Sequence, residues 1–401
     1  MNRPRDRWVA NRNTIGLTAV LGAALAVSAS TVAGAATDTT ATSPIVVPLQ
    51  SSTTTPTTAW AVVEMGTSQG SYNHFWELFD YHVGTRRWLL ETPPGIADNG
   101  GLIIATSGPY SGLVGFGANQ LLAFSPLAST SDAGSNWSPG GLSQALVPVP
   151  DALAAGADNS GAALVRANGS DQVLRRTGSL TSWSSIATTR DVAKSAPSCR
   201  IDALTALDIP APSTILLGAS CSSVGSVPLL RYSGGSWSLV KVTTPATWIH
   251  NTTQVLRLAN GQGASGIVPE GLLAGEGGST TVIAAVFNAR PGSAWSVSQS
   301  LHLARGAVVV ASGSGPATTQ FVVVRQGGTL VADVITGPDA KWQTSGELPK
   351  GTATIAIEPD GSLDAMSVKV STLSIWHAAR VDAPFSKSQT IDVPIQYGSS
   401  G

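Results

Sequence analysis

The sequence contains few charged residues. Asp, Glu, Lys and Arg make up 12% of its 401 residues, about half the share of roughly 25% in ordinary globular domains. The formal net charge is −1, and Gly is abundant at 43 residues. This composition excludes a disordered acidic chain, a coiled coil and a basic nucleic-acid-binding protein. No nucleic-acid partner is expected, and the chain is long enough for a large core.

Long apolar runs are also scarce, and the longest lies near the N-terminus. Residues 1–35 follow the secretory pattern of a basic start up to Arg12, an apolar stretch over residues 15–27 and the cleavage-site motif Ala33-Gly34-Ala35. The alternative is an uncleaved membrane anchor, but the Gly, Ser, Thr and Ala content of residues 15–36 makes a poor span. The sequence predicts a secreted protein that touches a membrane only if this leader is retained.

Cysteine is limited to two residues, Cys199 and Cys221. In an oxidising compartment an even pair favours one disulfide. Cys221 follows the predicted strand 215–220, and Cys199 precedes the predicted strand 202–207 of the same blade. If these strands are antiparallel neighbours, both cysteines fall at the same edge, within reach of a disulfide.

Residues 36–58 are rich in Thr, Ser and Pro and are predicted to be a linker. The apolar segment 44–49 interrupts this linker and is a candidate strand. A second candidate, residues 390–395, lies at the other end of the chain. One chain end is expected to supply a strand to the other end's blade, and the sequence leaves open which one.

Tryptophan marks a repeat in the rest of the chain. Six Trp residues recur at intervals of about 50 residues, each after a short turn and at the start of a short strand: Trp88, Trp137, Trp183, Trp237, Trp295 and Trp342. Phe385 stands where a seventh would fall. Two apolar runs precede each Trp, and a run of small residues such as 152–155 follows it, so each copy supplies four strands.

Four short antiparallel strands repeated seven times, with Gly-rich turns and no helical periodicity, indicate an all-β, seven-bladed β-propeller over residues 59–401. The small-residue strand is expected nearest the axis, where the blades converge. Each Trp on an outermost strand is expected to fill the wide gap between two blades. A monomer is expected.

One turn carries a family motif. Residues 130–137 read Thr-Ser-Asp-Ala-Gly-Ser-Asn-Trp and fit the Asp-box, [S/T]-x-D-x-G-x-x-W, at Thr130, Asp132, Gly134 and Trp137. This resembles the Asp-box, or BNR-repeat, propellers, the superfamily of sialidases and sortilin-like receptors. The resemblance implies that the motif is a structural hairpin turn between the third and fourth strands of a blade, away from the ligand face. The other copies keep mainly the turn and the Trp.

The enzymes of that superfamily use an arginine triad, an Arg-Ile-Pro motif, a Tyr/Glu pair and an acid/base Asp. No Arg-Ile-Pro motif occurs here, the five Tyr residues are scattered, and only Arg257 and Arg325 lie near strand positions where an Arg could face a ligand. His74 and His82 share one strand but lie too far apart for one metal ion. No catalytic residue, metal ligand or cofactor is assigned.

The sequence therefore favours a secreted binding or scaffold propeller for an extracellular glycan or protein ligand. The alternative is a sialidase-like glycoside hydrolase, or a lyase, acting on extracellular glycan. The ligand face is expected where the loops after the fourth strand lie beside those between the second and third. The candidate ligand-binding residues are Trp248, His250, Arg190, Glu276 and Arg325.

Trp248 does not follow the repeat. It lies in the connection before residue 255, where a Trp offers a stacking surface and an N–H donor to a ligand. The other interpretation is that Trp248 fills the gap between adjacent blades.

Overall fold

The structure is a computed structural model. It describes residues 52–394 apart from 56, 67–73, 94–100, 109, 117–126, 140–149, 157, 159, 168–169, 177–182, 223–226, 243–247, 249–251, 261–269, 278–280, 289–293 and 317. All of these residues lie in the compact unit Thr40–Gly401. In this part of the chain, no helix is long and apolar enough to cross a membrane.

The described residues form five β-sheets. Three of them are four-stranded and antiparallel. The first is β5–β8, with bounds Leu102–Thr106, Gly112–Phe116, Leu127–Thr130 and Ser138–Pro139. The second is β9–β12, with bounds Ala152–Ala155, Gly161–Ala167, Ser170–Arg176 and Trp183–Thr188. The third is β26–β29, with bounds Thr352–Ile357, Leu363–Lys369, Thr372–Ala378 and Ser386–Asp392.

The eight-stranded sheet contains two antiparallel runs of four strands. One run is β1–β4, with bounds Ser52–Thr54, Thr58–Gly66, His74–His82 and Arg87–Leu90. The other is β22–β25, with bounds Val308–Ser314, Gln320–Gln326, Thr329–Ile335 and Gln343–Thr344. Their connection is one parallel pairing, between Ser52 and Gly313.

The nine-stranded sheet likewise contains two such runs. One run is β13–β16, with bounds Ile201–Ala211, Thr214–Cys221, Leu229–Ser233 and Ser236–Leu239. The other is β17–β20, with bounds Thr252–Asn260, Glu270–Gly277, Val282–Asn288 and Trp295–Val297, and the short strand β21 (Leu301–His302) pairs with β19. The runs join where Ser220 and Cys221 pair with Gln254 and Thr253. One short helix, α1 (Thr189–Lys194), lies between β12 and β13.

This architecture is a β-propeller with four-stranded antiparallel blades, as the repeat predicts. The small-residue strands lie innermost, because one small central cavity is lined by residues of β1, β5, β9, β13, β17 and β22. The periodic aromatic residues lie at or next to the first residue of the outermost strands, as Trp183 in β12, Trp88 in β4 and Phe385 before β29 show. The count of seven blades stays a prediction, since the hydrogen-bonded sheets number five.

The periodic Trp residues also pack as predicted. Each one contacts a hydrophobic cluster that joins two neighbouring runs, as Trp295 does with Leu216 of β14 and Val255 of β17. Trp137 likewise packs against Trp60, with ring centroids 6.3 Å apart and an edge-to-face angle of 73°. Because blades splay apart toward the rim, a large flat side chain on the outer strand fills volume that the inner strands do not need to fill.

Within the described residues, the first and last runs exchange no strand with each other, and the predicted exchange of a strand between the chain ends stays a prediction. β1 pairs with β2 of its own run, and β29 pairs with β28 of its own run. The first and last runs are held together by packing around Trp88, whose backbone N–H donates to Gln389 Oε1 (3.0 Å). Of the two candidate closing strands, 44–49 lies outside the described residues, and 390–392 belongs to β29.

The predicted linker also differs from the structure. Ser52–Thr54, inside the expected linker 36–58, is the inner strand β1, and its side chains are buried. Two of its polar groups have partners across the ring: Thr54 Oγ1 donates to the carbonyl of Ile357 (2.5 Å), and Arg257 donates to the carbonyl of Ser52 (2.9 Å). A Ser/Thr segment is therefore a core strand here, because the axis supplies hydrogen bonds instead of apolar contacts.

The predicted disulfide is confirmed. Cys199 and Cys221 are bonded, with their Cα atoms 5.5 Å apart. Cys221 is the last residue of β14 and pairs with Ile201, the first residue of β13. Both cysteines are buried in the cluster between the runs β9–β12 and β13–β16.

Candidate functional site

The candidate ligand site is a surface cavity between the last two runs. It has a volume of about 140 Å³ and is lined by residues near the starts of β22, β24 and β26 and near the end of β23: Val310, Ala311, Val323, Arg325, Leu330, Thr352, Ala353, Thr354 and Ile355. At these strand ends, the turns that join the second and third strands of a run lie beside the connections from the fourth strand of one run to the first strand of the next. The cavity is therefore on the face that the sequence predicts for ligand binding.

Arg325 supplies the positive charge of this cavity. It is exposed, near the end of β23, and pairs across the ladders with Val308 and Leu330. Among the described residues its guanidinium forms no ion pair. Since a guanidinium presents a planar fork of donors, Arg325 can bind a carboxylate bidentately.

The other predicted ligand-binding residues whose side chains are described, Arg190 and Trp248, do not line this cavity. Arg190 is exposed on α1, between the runs β9–β12 and β13–β16. His250 and the side chain of Glu276 lie outside the described residues. Of the three candidates with described side chains, the structure brings one to this cavity.

Trp248 is buried, with 1% of its surface exposed. It packs in the cluster between β13–β16 and β17–β20, against residues such as Leu229 and Val255. The structure therefore agrees with the interpretation that Trp248 fills the gap between two blades, and it corrects the interpretation of an exposed stacking surface.

The second cavity lies on the propeller axis, toward the carboxyl ends of the inner strands. Its volume is about 30 Å³, enough for one or two water molecules. The polar residues of its lining are Thr53, Thr106, Asp208, Arg257 and Ser314.

Arg257 holds three inner strands together at this axis. From β17 its guanidinium donates to the carbonyl oxygens of Ser52 in β1 (2.9 Å) and Ser312 in β22 (3.3 Å), and to Ser314 Oγ (3.1 Å). Burial lowers the pKa of Arg257 to about 9, and the nearby Asp208 carboxylate opposes that effect. Arg257 therefore stays charged at neutral pH, and its two terminal nitrogens donate to the protein, while its buried Nε has no partner among the described residues.

The Asp-box-like turn connects β7 to β8, the third and fourth strands of their run, where the family resemblance places it. Asp132 accepts from the backbone N–H of Asn136 (2.9 Å), and Thr130 Oγ1 accepts from the N–H of Gly134 (3.0 Å). Hydrogen bonds to the Asp132 carboxylate from the Asn136 side chain, the Asn136 backbone N–H and the Thr130 hydroxyl lower the pKa of Asp132. Ala133 and Gly134 have φ values of 56° and 90°, a conformation that Gly adopts without strain. The Asp132 carboxylate therefore accepts its hydrogen bonds within the turn.

The two histidines of β3 bind separate partners. His74 Nδ1 lies 2.7 Å from Glu64 Oε1, and His82 Nε2 lies 3.0 Å from Asp80 Oδ2. Burial raises the pKa of Asp80 to about 6, although the Thr58 hydroxyl and His82 lower it.

Sequence analysis did not single out one buried cluster, formed by Glu358, Asp364 and His377. Their side-chain donor atoms all lie within 4.8 Å of one another. Burial and the neighbouring Asp364 carboxylate raise the pKa of Glu358 to about 8. The three residues are spread over 20 positions of the last run, and the signal that brings them together is strand register: Asp364 of β27 is directly opposite His377 of β28.

Comparison with known proteins supports the fold. No protein-family model matches the chain, and no curated protein matches its sequence. A solved structure of a putative 6-phosphogluconolactonase from Bacteroides fragilis shares 12% identity at a TM-score of 0.50, covering 84% of this chain and 95% of that one. A polysaccharide lyase shares 10% identity, with coverage of 88% and 91% and a TM-score of 0.41. A Hadza microbial sialidase shares 11% identity, with coverage of 69% and 62% and a TM-score of 0.41. The similarity to the first of these structures agrees with the β-propeller fold, and at this identity it says nothing of the chemistry of this chain.

Proposed function

We propose that this chain is a secreted, seven-bladed β-propeller that binds an extracellular ligand, a glycan or a protein, without acting on it chemically. The observation that carries the proposal is the Arg325 cavity. It lies on the expected ligand face, and it combines an exposed guanidinium with apolar and Thr side chains.

Seven blades explain the packing of the hydrophobic core better than five blades, one for each hydrogen-bonded sheet, would. The described residues form seven buried hydrophobic clusters. Each joins two runs that are consecutive in the chain, except one, which joins the last run to the first through Met366 and Trp88. The larger sheets contain two runs each because short ladders connect neighbours near the axis, as at Ser52 and Gly313.

Secretion is supported by two independent features. The leader at residues 1–35 has the composition of a signal peptide, and the chain carries the disulfide Cys199–Cys221. Disulfides persist in oxidising compartments. The Asp-box-like turn at residues 130–137 is compatible with an origin among the Asp-box propellers.

The dimensions of the cavity restrict the ligand. Small-molecule sites are usually about 300 to 1,000 Å³, whereas this cavity is about 140 Å³. It therefore accommodates one group of a larger ligand, and the rest of that ligand crosses the face of the propeller. Arg325 favours a group with a carboxylate, such as a sugar acid or an acidic side chain.

The alternative of a sialidase-like hydrolase receives no support from the described residues. Glycoside hydrolysis uses two carboxyl groups on either side of the scissile bond. The linings of the two cavities include one carboxylate, Asp208, and it shares the axial cavity with Arg257. Arg257 is committed to three hydrogen bonds within the protein.

A glycan array with sialylated, uronate-containing and neutral glycans, together with acidic and neutral peptides, tests the proposal. We expect binding of carboxylate-bearing probes by the wild type, loss of it in Arg325→Ala, and no release of product. Arg380→Ala is the matched control, since Arg380 is exposed but pairs with Asp382 at 3.1 Å in the turn between β28 and β29. Hydrolysis of a fluorogenic sialoside, or equal binding by Arg325→Ala, would contradict the proposal.

A further inference from the structure

The cluster of Glu358, Asp364 and His377 lies at the seam where the last run meets the first. Glu358 follows β26, while Asp364 and His377 face each other on β27 and β28. Glu358 is 3% exposed and Asp364 is 1% exposed, whereas the His377 side chain keeps 35% of its surface accessible. The cluster is thus buried on the carboxylate side and reachable from solvent on the imidazole side.

One oxygen of each carboxylate is held by a neutral donor. Trp88 of the first run donates its indole N–H to Asp364 Oδ2 (2.6 Å). The Ser362 hydroxyl lies between Glu358 Oε2 (2.8 Å) and Asp360 Oδ1 (2.6 Å), and Tyr81 of the first run also hydrogen-bonds to Glu358. These bonds fix the orientation of both side chains, as outer hydrogen bonds do for metal ligands.

The other oxygen of each carboxylate faces the same imidazole nitrogen. His377 Nδ1 lies 3.0 Å from Asp364 Oδ1 and 3.7 Å from Glu358 Oε1. Two oxygens and one nitrogen thus converge from three positions of one run, with separations suited to ligands around a single ion. Each of the three residues belongs to a different strand or turn, so the pairing of these strands sets the distances between the donor atoms.

The composition of the cluster suits a cation. The carboxyl groups of Glu358 and Asp364 are buried in contact and hydrogen-bond to each other, and the donors around them, Tyr81, Trp88 and Ser362, are neutral. A buried charge without a compensating partner is costly. Within the described part of the chain, the nearest cationic group is the partly exposed His377, which contributes at most one positive charge.

We propose that Glu358, Asp364 and His377 bind one divalent transition-metal ion, of the Zn²⁺ class. Ca²⁺ and Mg²⁺ prefer ligand sets made wholly of oxygen, whereas an imidazole nitrogen with two carboxylates suits Zn²⁺ and related ions. The ion uses Glu358 Oε1 and Asp364 Oδ1, the carboxylate oxygens that face His377 Nδ1. The exposed side of His377 leaves room for a water ligand.

The site joins the two ends of the ring. The ligands belong to the last run, while Trp88, which orients Asp364, belongs to the first run. The three ligands lie beside the turns that follow the first and third strands of the last run. These turns are on the face of the propeller opposite Arg325. A bound ion there stabilises ring closure and takes no part in the ligand site.

Isothermal titration of the EDTA-treated, dialysed full chain with ZnCl₂ tests the inference, with CaCl₂ as the comparison. We expect one equivalent of Zn²⁺ to bind the wild type, with at least about 10-fold weaker binding in His377→Ala and in Glu358→Gln. His74→Ala is the matched control, because His74 also contacts a carboxylate, Glu64 Oε1 at 2.7 Å, on an exposed surface. That variant is expected to bind like the wild type.

Two further measurements do not depend on the folding of His377→Ala or Glu358→Gln. Co²⁺ added to the wild type should give visible absorption bands of a mixed nitrogen and oxygen site, and Zn²⁺ should raise the melting temperature of the wild type and of His74→Ala equally. The inference is wrong if the wild type binds no stoichiometric Zn²⁺, if His377→Ala binds as tightly as the wild type, or if Ca²⁺ is preferred over Zn²⁺.

Discussion

Trp248 gives the most informative stability test of the blade packing. It is 1% exposed and lies between the runs β13–β16 and β17–β20. Truncation of a fully buried Trp to Ala costs about 3 to 5 kcal/mol, because apolar contacts are lost and a cavity remains. We expect Trp248→Ala to lower the free energy of unfolding by this amount, as measured by equilibrium urea denaturation.

A second variant separates packing from hydrogen bonding. Within the described residues, the buried indole nitrogen of Trp248 has no hydrogen-bond partner. Trp248→Phe therefore keeps much of the apolar contact, loses no hydrogen bond of that part of the chain, and is expected to cost about 1 to 2 kcal/mol. Leu239→Ala, at a residue of β16 that is 36% exposed, serves as the control and should change stability by less than about 0.5 kcal/mol.

The reasoning fails if Trp248→Ala unfolds at the urea concentration of the wild type. It also fails if Trp248→Ala keeps its stability and loses binding to the carboxylate-bearing probes. Either result would mean that Trp248 serves the ligand face rather than the gap between blades.

Three other predictions follow from buried groups. Asp80 has a folded-state pKa of about 6, above the unfolded value of about 3.9, so the native state binds this proton more tightly. The stability that protonated Asp80 contributes is complete below about pH 4, and roughly 3 kcal/mol of it is lost as the pH rises through 6. Urea denaturation at several pH values should show this loss in the wild type and not in Asp80→Asn. Replacing Cys199 and Cys221 together by Ser should lower stability by about 3 kcal/mol, and two reactive thiols in the denatured, unreduced wild type would contradict the disulfide. A chain starting at Thr58 lacks β1 and the Ser52 carbonyl that Arg257 binds, so it should melt several degrees below a chain starting at Gln50, and equal melting temperatures would contradict the role of β1.

The sequence predicts the blades well because their outer edges carry a distinctive residue. Trp at intervals of about 50 residues identifies the outermost strand of six runs, and Phe385 identifies the last. The disulfide was also predictable, since Cys199 and Cys221 flank adjacent strands of one run. In both cases, local order along the chain determines which residues meet.

Ring closure was not predictable in the same way. Apolar composition pointed to residues 44–49, whereas the inner strand that the structure shows is the polar segment Ser52–Thr54. Its burial depends on partners about 200 and 300 positions away, Arg257 and Ile357. A composition rule for linkers does not detect hydrogen bonds made across the axis of a closed ring.

The two sites differ in the same respect. Arg325 could be named from the sequence because it lies near a strand position where an Arg could face a ligand, and in the structure it lines a cavity. The cluster at the seam was not recognisable, since it needs the register of β27 against β28 and the donor Trp88, which lies 276 positions from Asp364. For such a site no single stretch of sequence holds the pattern.

The central claim is that Arg325 receives a carboxylate group of the ligand. Surface plasmon resonance with an immobilised uronate-containing glycan from the array, and with the same glycan after its carboxylates are reduced to alcohols, tests this claim most directly. The account predicts that the wild type binds the glycan with intact carboxylates and not the reduced one, and that Arg325→Ala binds neither glycan. Equal binding of the two glycans by the wild type would contradict it.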